Sequence, residues 1–131
     1  MRNWTEDAAQ ILEALQARVD ARDQQALLDL FEDPAVLIGT AGDGRTSETR
    51  SEYLTAVATQ SAALRWEWVE TRLFYNAADA LGFAAFGEVV LTGEDSEWRA
   101  PIRVTVFAVQ VEGDWRLREF HGSIPFQDPS A

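Results

Sequence analysis

The stretch REFHGSIP, residues 118–125, places the residues best suited to acid–base chemistry close together. It holds His121, the only histidine in the sequence, between Glu119 and Ser123. Regular alternation along a strand sets Trp115, Leu117, Glu119, His121 and Ser123 on one face, and Arg116, Arg118 and Phe120 on the other. Trp115 and Leu117 argue that the first face points inward. Glu119 and His121 are then expected as polar groups in an apolar cavity, with Cα atoms about 6.6 Å apart. A carboxylate and an imidazole so placed form a general acid–base pair. The structural alternative is that His121 bonds a neighbouring element and Glu119 pairs with an arginine.

Other residues could complete such a site. Arg103 and Thr105 share one side of the preceding strand with Phe107 and Val109. Arg103 would either hold a ligand's polar group or close a salt bridge with Glu119. Trp66 and Trp68 fall on one strand face with Glu70, Arg72 and Phe74. With Tyr53 they could wall a pocket for a small, largely apolar molecule, or serve as core or interface anchors.

Composition narrows the chemistry. There is no cysteine, which excludes disulfides, thiolate nucleophiles and zinc–thiolate sites. With one histidine, no metal site is expected. GTAGDGR (39–45) lacks the Lys-Ser or Lys-Thr of a phosphate loop, and GEDSE (93–97) lacks calcium-loop spacing. No cofactor is expected. The net charge of −11, from 22 acidic and 11 basic residues, repels nucleic acid. No apolar run approaches the roughly 20 residues that span a bilayer, and the N-terminus carries acids within its apolar pattern, unlike a signal peptide. The expectation is a cytoplasmic protein bound to neither membrane nor nucleic acid.

The elements that must position these residues follow from periodicity. A helix is expected over 5–20, with Thr5 as N-cap and Ala8, Ile11, Leu12, Leu15 and Val19 buried. A short helix follows over 23–31, capped by Asp23 and ended by Pro34. A brief strand over 35–40, a turn over 41–47 and a third helix over 47–64 come next. Beyond residue 64 the period turns strand-like, over 65–76, 81–92, 97–111 and 114–123, with short links that favour an antiparallel meander. The tail 126–131 is expected to fray. This is one α+β domain over 1–131, with helices on one face of a sheet.

The strands are apolar on both faces. Leu81, Phe83, Ala85, Val89 and Leu91 lie on one side, and Ala84, Phe86 and Val90 on the other. A face left bare by the helices needs a cover, so a homodimer through the outer sheet face is expected.

Two stretches carry a family resemblance. FEDPAVLIGTAGDGRTSETRSEYL resembles a short helix entering a strand, a polar loop and a third helix. PIRVTVFAVQVEGDWRLREFHGSIP is similar to a closing hairpin with Arg103 and Thr105, Gly113, Trp115, then His121 and Ser123. In this order they resemble a SnoaL-like domain of the nuclear transport factor 2-like (NTF2-like) superfamily. The association domain of calcium/calmodulin-dependent kinases ends similarly. The resemblance implies a cone-shaped fold, with three N-terminal helices packed on a strongly curved, mostly antiparallel sheet around a pocket, and frequent dimers. It implies a ligand-binding role for Thr105 and Ser123 beside Arg103. It leaves open a cofactor-free isomerase, dehydratase, cyclase or hydrolase, or a non-catalytic ligand-binding or association module. Relatives often carry a second histidine where this chain has Glu119.

Overall fold

The structure, a computed structural model, describes residues 3–39, 42–44 and 47–124, and the side chains of all of these except 42–44, 47 and 48. Helix α1 (Trp4–Ala21) is followed by α2 (Gln24–Leu30), strands β1 (Phe31–Gly39) and β2 (Gly42–Gly44), and helix α3 (Ser47–Thr59). Strands β3 (Ala63–Ala77), β4 (Ala80–Thr92), β5 (Glu97–Val111) and β6 (Asp114–Ser123) complete the chain. The expected α+β architecture is present. The four late strands stand within a few residues of their expected ends. Within the expected turn over 41–47, residues 42–44 instead form β2, paired with Leu37, Ile38 and Gly39 of β1, while 41, 45 and 46 and the tail 126–131 lie outside the described residues.

The sheet order is β2-β1-β6-β5-β4-β3. Every pairing is antiparallel except that of β1 with β6. Short hairpins link β3 to β6 because their separators are too brief for a crossover. Strand β1 comes from the helical half and closes the meander by lying parallel to its last strand.

Helix α1 starts two residues earlier than Thr5 as N-cap would set it. Asn3 is the N-cap and accepts the Thr5 amide at 3.0 Å. Asp23 caps α2 as expected, accepting the Ala26 amide at 3.1 Å. That helix ends at Leu30, before Pro34 can act. Phe31 already has extended dihedrals and pairs with Leu117 of β6. Arg50 of α3 donates to the carbonyls of Phe31 and Glu32 and holds the chain there.

Helix α3 stops five residues short of its expected end at 64. Two side chains, one from α1 and one from its C-cap residue, account for this. Arg22 donates to the carbonyls of Gln60 and Ala62. Gln16 donates to the Leu64 carbonyl and accepts the Trp66 amide, both at 2.9 Å. Together they claim the backbone groups that another helical turn would need.

The helices cover one face of the curved sheet. Ile11, Leu15, Leu27, Leu54, Phe83, Val106, Leu117 and Phe120 meet in a single core. The opposite face, called outer below, carries no element of the described chain.

Candidate functional site

Strand β6 does not alternate regularly. Arg103, Thr105 and Phe107 pair with Ser123, His121 and Glu119, but Ala108 pairs with Leu117. Arg118 is therefore an extra residue, a β-bulge, and it reverses the sense of alternation. Trp115 and Leu117 face inward before it; Phe120 and Gly122 face inward after it. Leu117 and Phe120 are both buried in the core. Glu119, His121 and Ser123 are turned to the outer face. The expectation that Glu119 and His121 point into the interior is corrected by this one residue.

His121 is exposed and Glu119 half-buried. Arg103 is exposed and donates from Nε to Ser123 Oγ at 3.1 Å. No ion pair joins Arg103 to Glu119 among the described residues. The register explains why: Arg103 stands opposite Ser123, and Glu119 opposite Phe107, four residues along β5. Thr105 stands opposite His121. Arg103, Thr105 and Phe107 do share a face, as their spacing requires, and it is the outer one.

The edge strand β3 is bulged twice. Trp68 pairs with Gly87 and Glu70 with Phe86, which leaves Val69 as an extra residue, 84% exposed. Phe74 is extra in the same way between Leu73 and Tyr75. Trp66 and Trp68 face inward and pack on the core. Glu70 and Arg72 are opposite the outward residues Phe86 and Ala84, so they do not share the indoles' face. Gly87 admits this path, because a Cβ there would meet the Glu67 backbone.

The sheet thus divides the residues singled out from sequence. Tyr53, Trp66 and Trp68 lie on the helical side. Arg103, Thr105, Glu119, His121 and Ser123 lie on the outer side. On the helical side, Tyr53 and Trp66 border a cavity of about 30 Å³ with Leu15, Leu27 and Phe120. The Tyr53 hydroxyl leans on Gly39, where a Cβ would come within 2.5 Å of it. Burial pushes the Tyr53 phenol above its ordinary value. The described core holds no buried charged side chain.

A larger space lies between α1 and β3, about 380 Å³, lined by Ala9, Leu12, Glu13, Gln16, Trp66 and Trp68, among others. The two indoles are near parallel, at 12° and 6.3 Å between centroids. Gln16 was not singled out from sequence. It sits on the polar flank of an amphipathic helix, where nothing marks it as the residue that pairs with the β3 edge.

On the outer face Tyr75 contacts Phe107 at 5.7 Å between centroids. Phe74, 56% exposed, lies over Gly82, and Phe86 lies beneath the Arg72 guanidinium. Towards β3 and the start of β5, Arg99 bridges Glu67, Glu88 and Glu97. Bonds from Arg99 and Arg65 pull the Glu67 carboxyl below its ordinary value. Among the described residues no group of acids and histidine could hold a metal, and no helix is long and apolar enough to cross a membrane.

Helices that close one face of a curved, six-stranded sheet around an apolar interior define an NTF2-like domain. The description of the SnoaL-like domain family matches residues 8–127, and the chain belongs to that family. Among curated proteins, none matches the sequence. Solved structures share the fold at low identity. A provisionally named dehydratase of the NTF2-like family from Streptomyces avermitilis superposes with a TM-score of 0.81 at 9% identity, over 95% of this chain and 98% of that one. A provisionally named calcium/calmodulin-dependent protein kinase II association domain from Xanthomonas campestris gives 0.77 at 17%, over 95% and 89%. A provisionally named scytalone dehydratase from Novosphingobium aromaticivorans gives 0.78 at 8%, over 93% and 84%.

Proposed function

We propose that the chain is a homodimeric SnoaL-like domain that binds a small, largely apolar ring compound between α1 and β3, against Trp66 and Trp68. The contrast between the two inner spaces carries this reading. The cavity beside Tyr53, at about 30 Å³, has room for little more than a water. The groove along α1, at about 380 Å³, has the size of a small-molecule site and the expected lining of aromatic walls with a few polar groups. Glu13, Gln16 and Thr71 supply those groups. Saturation-transfer NMR with 2-naphthol tests it: binding to the wild type and at least roughly tenfold weaker binding to Trp68→Ala are expected. Equal binding to both rejects the groove.

The exposed aromatics of the outer face support a second copy as its cover, since bare apolar patches of that kind mark interfaces. A two-fold contact would also enclose Arg103, Thr105, Glu119, His121 and Ser123. The likeness to proteins named as dehydratases supports a second reading, in which Glu119 and His121 move protons for a cofactor-free elimination at that enclosed surface. In that reading His121→Ala and Glu119→Gln remove turnover while fold and solution mass are kept.

A further inference from the structure

The described arginines are mostly neutralised. Arg50, Arg65, Arg72, Arg99 and Arg118 pair with carboxylates. Arg22 binds carbonyls beyond α3, and Arg103 binds Ser123. Arg18 and Arg116 have no such partner among the described residues. Arg18 makes one long bond, 3.4 Å, to Ala14 in its own helix. Its Nε is buried and donates to none of the described residues.

Both arginines border one groove of about 350 Å³ between α1, α2 and the start of β6. Asp29 and Asp114 border it too. Asp29 accepts a bond from Gln25 at 2.9 Å, yet no ion pair links either aspartate to either arginine among the described residues. Charges of both signs therefore surround one space without neutralising each other. Ile11, Leu30 and Trp115 supply its apolar wall.

We propose that this groove binds a small zwitterion, a free α-amino acid with an apolar side chain. Arg18 receives the carboxylate through its guanidinium, as a charge-assisted donor. The aspartates receive the ammonium group. The side chain rests on Ile11, Leu30 and Trp115. A ligand of one sign meets one attraction and one repulsion here; a zwitterion meets two attractions. The groove lies along Gln10, Ile11, Ala14 and Arg18 of α1, whereas the Trp66–Trp68 groove uses Ala9, Leu12, Glu13 and Gln16. The two sites flank the helix and do not depend on each other.

Isothermal titration of the full chain with L-phenylalanine, 3-phenylpropionate and phenethylamine tests the proposal. The first carries both charges, the second lacks the ammonium and the third lacks the carboxylate. L-phenylalanine is expected to bind, and each single-charge compound at least about tenfold more weakly. Arg18→Gln, checked for folding by circular dichroism, is expected to weaken L-phenylalanine by a similar factor and leave phenethylamine unchanged. Asp29→Asn provides the reciprocal loss if Arg18→Gln fails to fold. Saturating 2-naphthol does not compete if both sites exist, and its failure to bind leaves the L-phenylalanine result standing. No binding of L-phenylalanine to the folded wild type overturns the site. Equal binding of 3-phenylpropionate overturns the zwitterion.

Discussion

Arg118 holds Glu32 at 2.6 Å between β6 and β1, and it is the residue of β6 that has no partner on β5. The bond anchors the bulge that decides which way Glu119, Phe120 and His121 face. Arg118→Ala is expected to cost at most about 1 kcal/mol, as a solvent-exposed ion pair does. Deleting Arg118 restores simple alternation. It leaves Glu119 and His121 outward and Phe120 inward, because Leu117 and Glu119 already stand opposite the adjacent residues Ala108 and Phe107, and the domain is expected to stay folded. Urea unfolding of the two variants checks this; a deletion variant that no longer unfolds cooperatively would mean that Arg118 is not the one extra residue of the register.

Neighbours on either side of the sheet should respond differently. Phe120→Ala removes a buried ring and is expected to cost about 3–5 kcal/mol. His121→Ala changes an exposed side chain and is expected to stay within about 0.5 kcal/mol. Thermal unfolding at one fixed protein concentration separates them. A His121→Ala variant as damaged as Phe120→Ala contradicts the outward placement.

The outer face can be tested by solution mass. Phe107 stands near its centre, against Tyr75. Phe107→Lys puts a charge into any contact made there. A dimeric wild type and a monomeric variant are expected by light scattering. An unchanged mass rejects this face as the interface.

Tyr53 gives a pH signature. Tyr75→Phe leaves Tyr53 as the single tyrosine of the chain. Its folded-state pKa is raised above 10.0 by burial. The neutral phenol is the form the fold favours, so the associated stability is fully present below the unfolded value and is lost as pH rises through the folded one. Ultraviolet absorbance of tyrosinate in this variant should therefore develop above the ordinary pH for a phenol. Development at the ordinary pH would show that the ring is open to water.

Gln16 should matter to the groove more than its place on a helix surface implies. Gln16→Leu leaves the Trp66 amide and Leu64 carbonyl without their partner. A loss of about 1 kcal/mol is expected, with faster hydrogen exchange at the Trp66 amide. Unchanged exchange would mean that water replaces the side chain at no cost.

The helical stripe of α1, the Asp23 cap and the four late strands are legible in the sequence because each rests on local periodicity or a local hydrogen bond. So is the sharing of one face by Arg103, Thr105 and Phe107, since β5 has no extra residue there. The tertiary structure alone decided which face that is. A bulge adds one residue with no compositional mark: nothing in WRLREF distinguishes Arg118 from a regular strand residue, and nothing in WVETRLFY marks Val69 or Phe74. Alternation has a period of two, so one unpaired residue inverts everything after it. The end of α3 and the parallel pairing of β1 with β6 were likewise settled by distant partners, Arg22, Gln16 and Leu117. The sequence by itself determined the three helices, five of the six strands, the family and the candidate residues. Their division between two sides of the sheet was decided by where three extra residues fell in the register, which depends on contacts between strands rather than on any one strand.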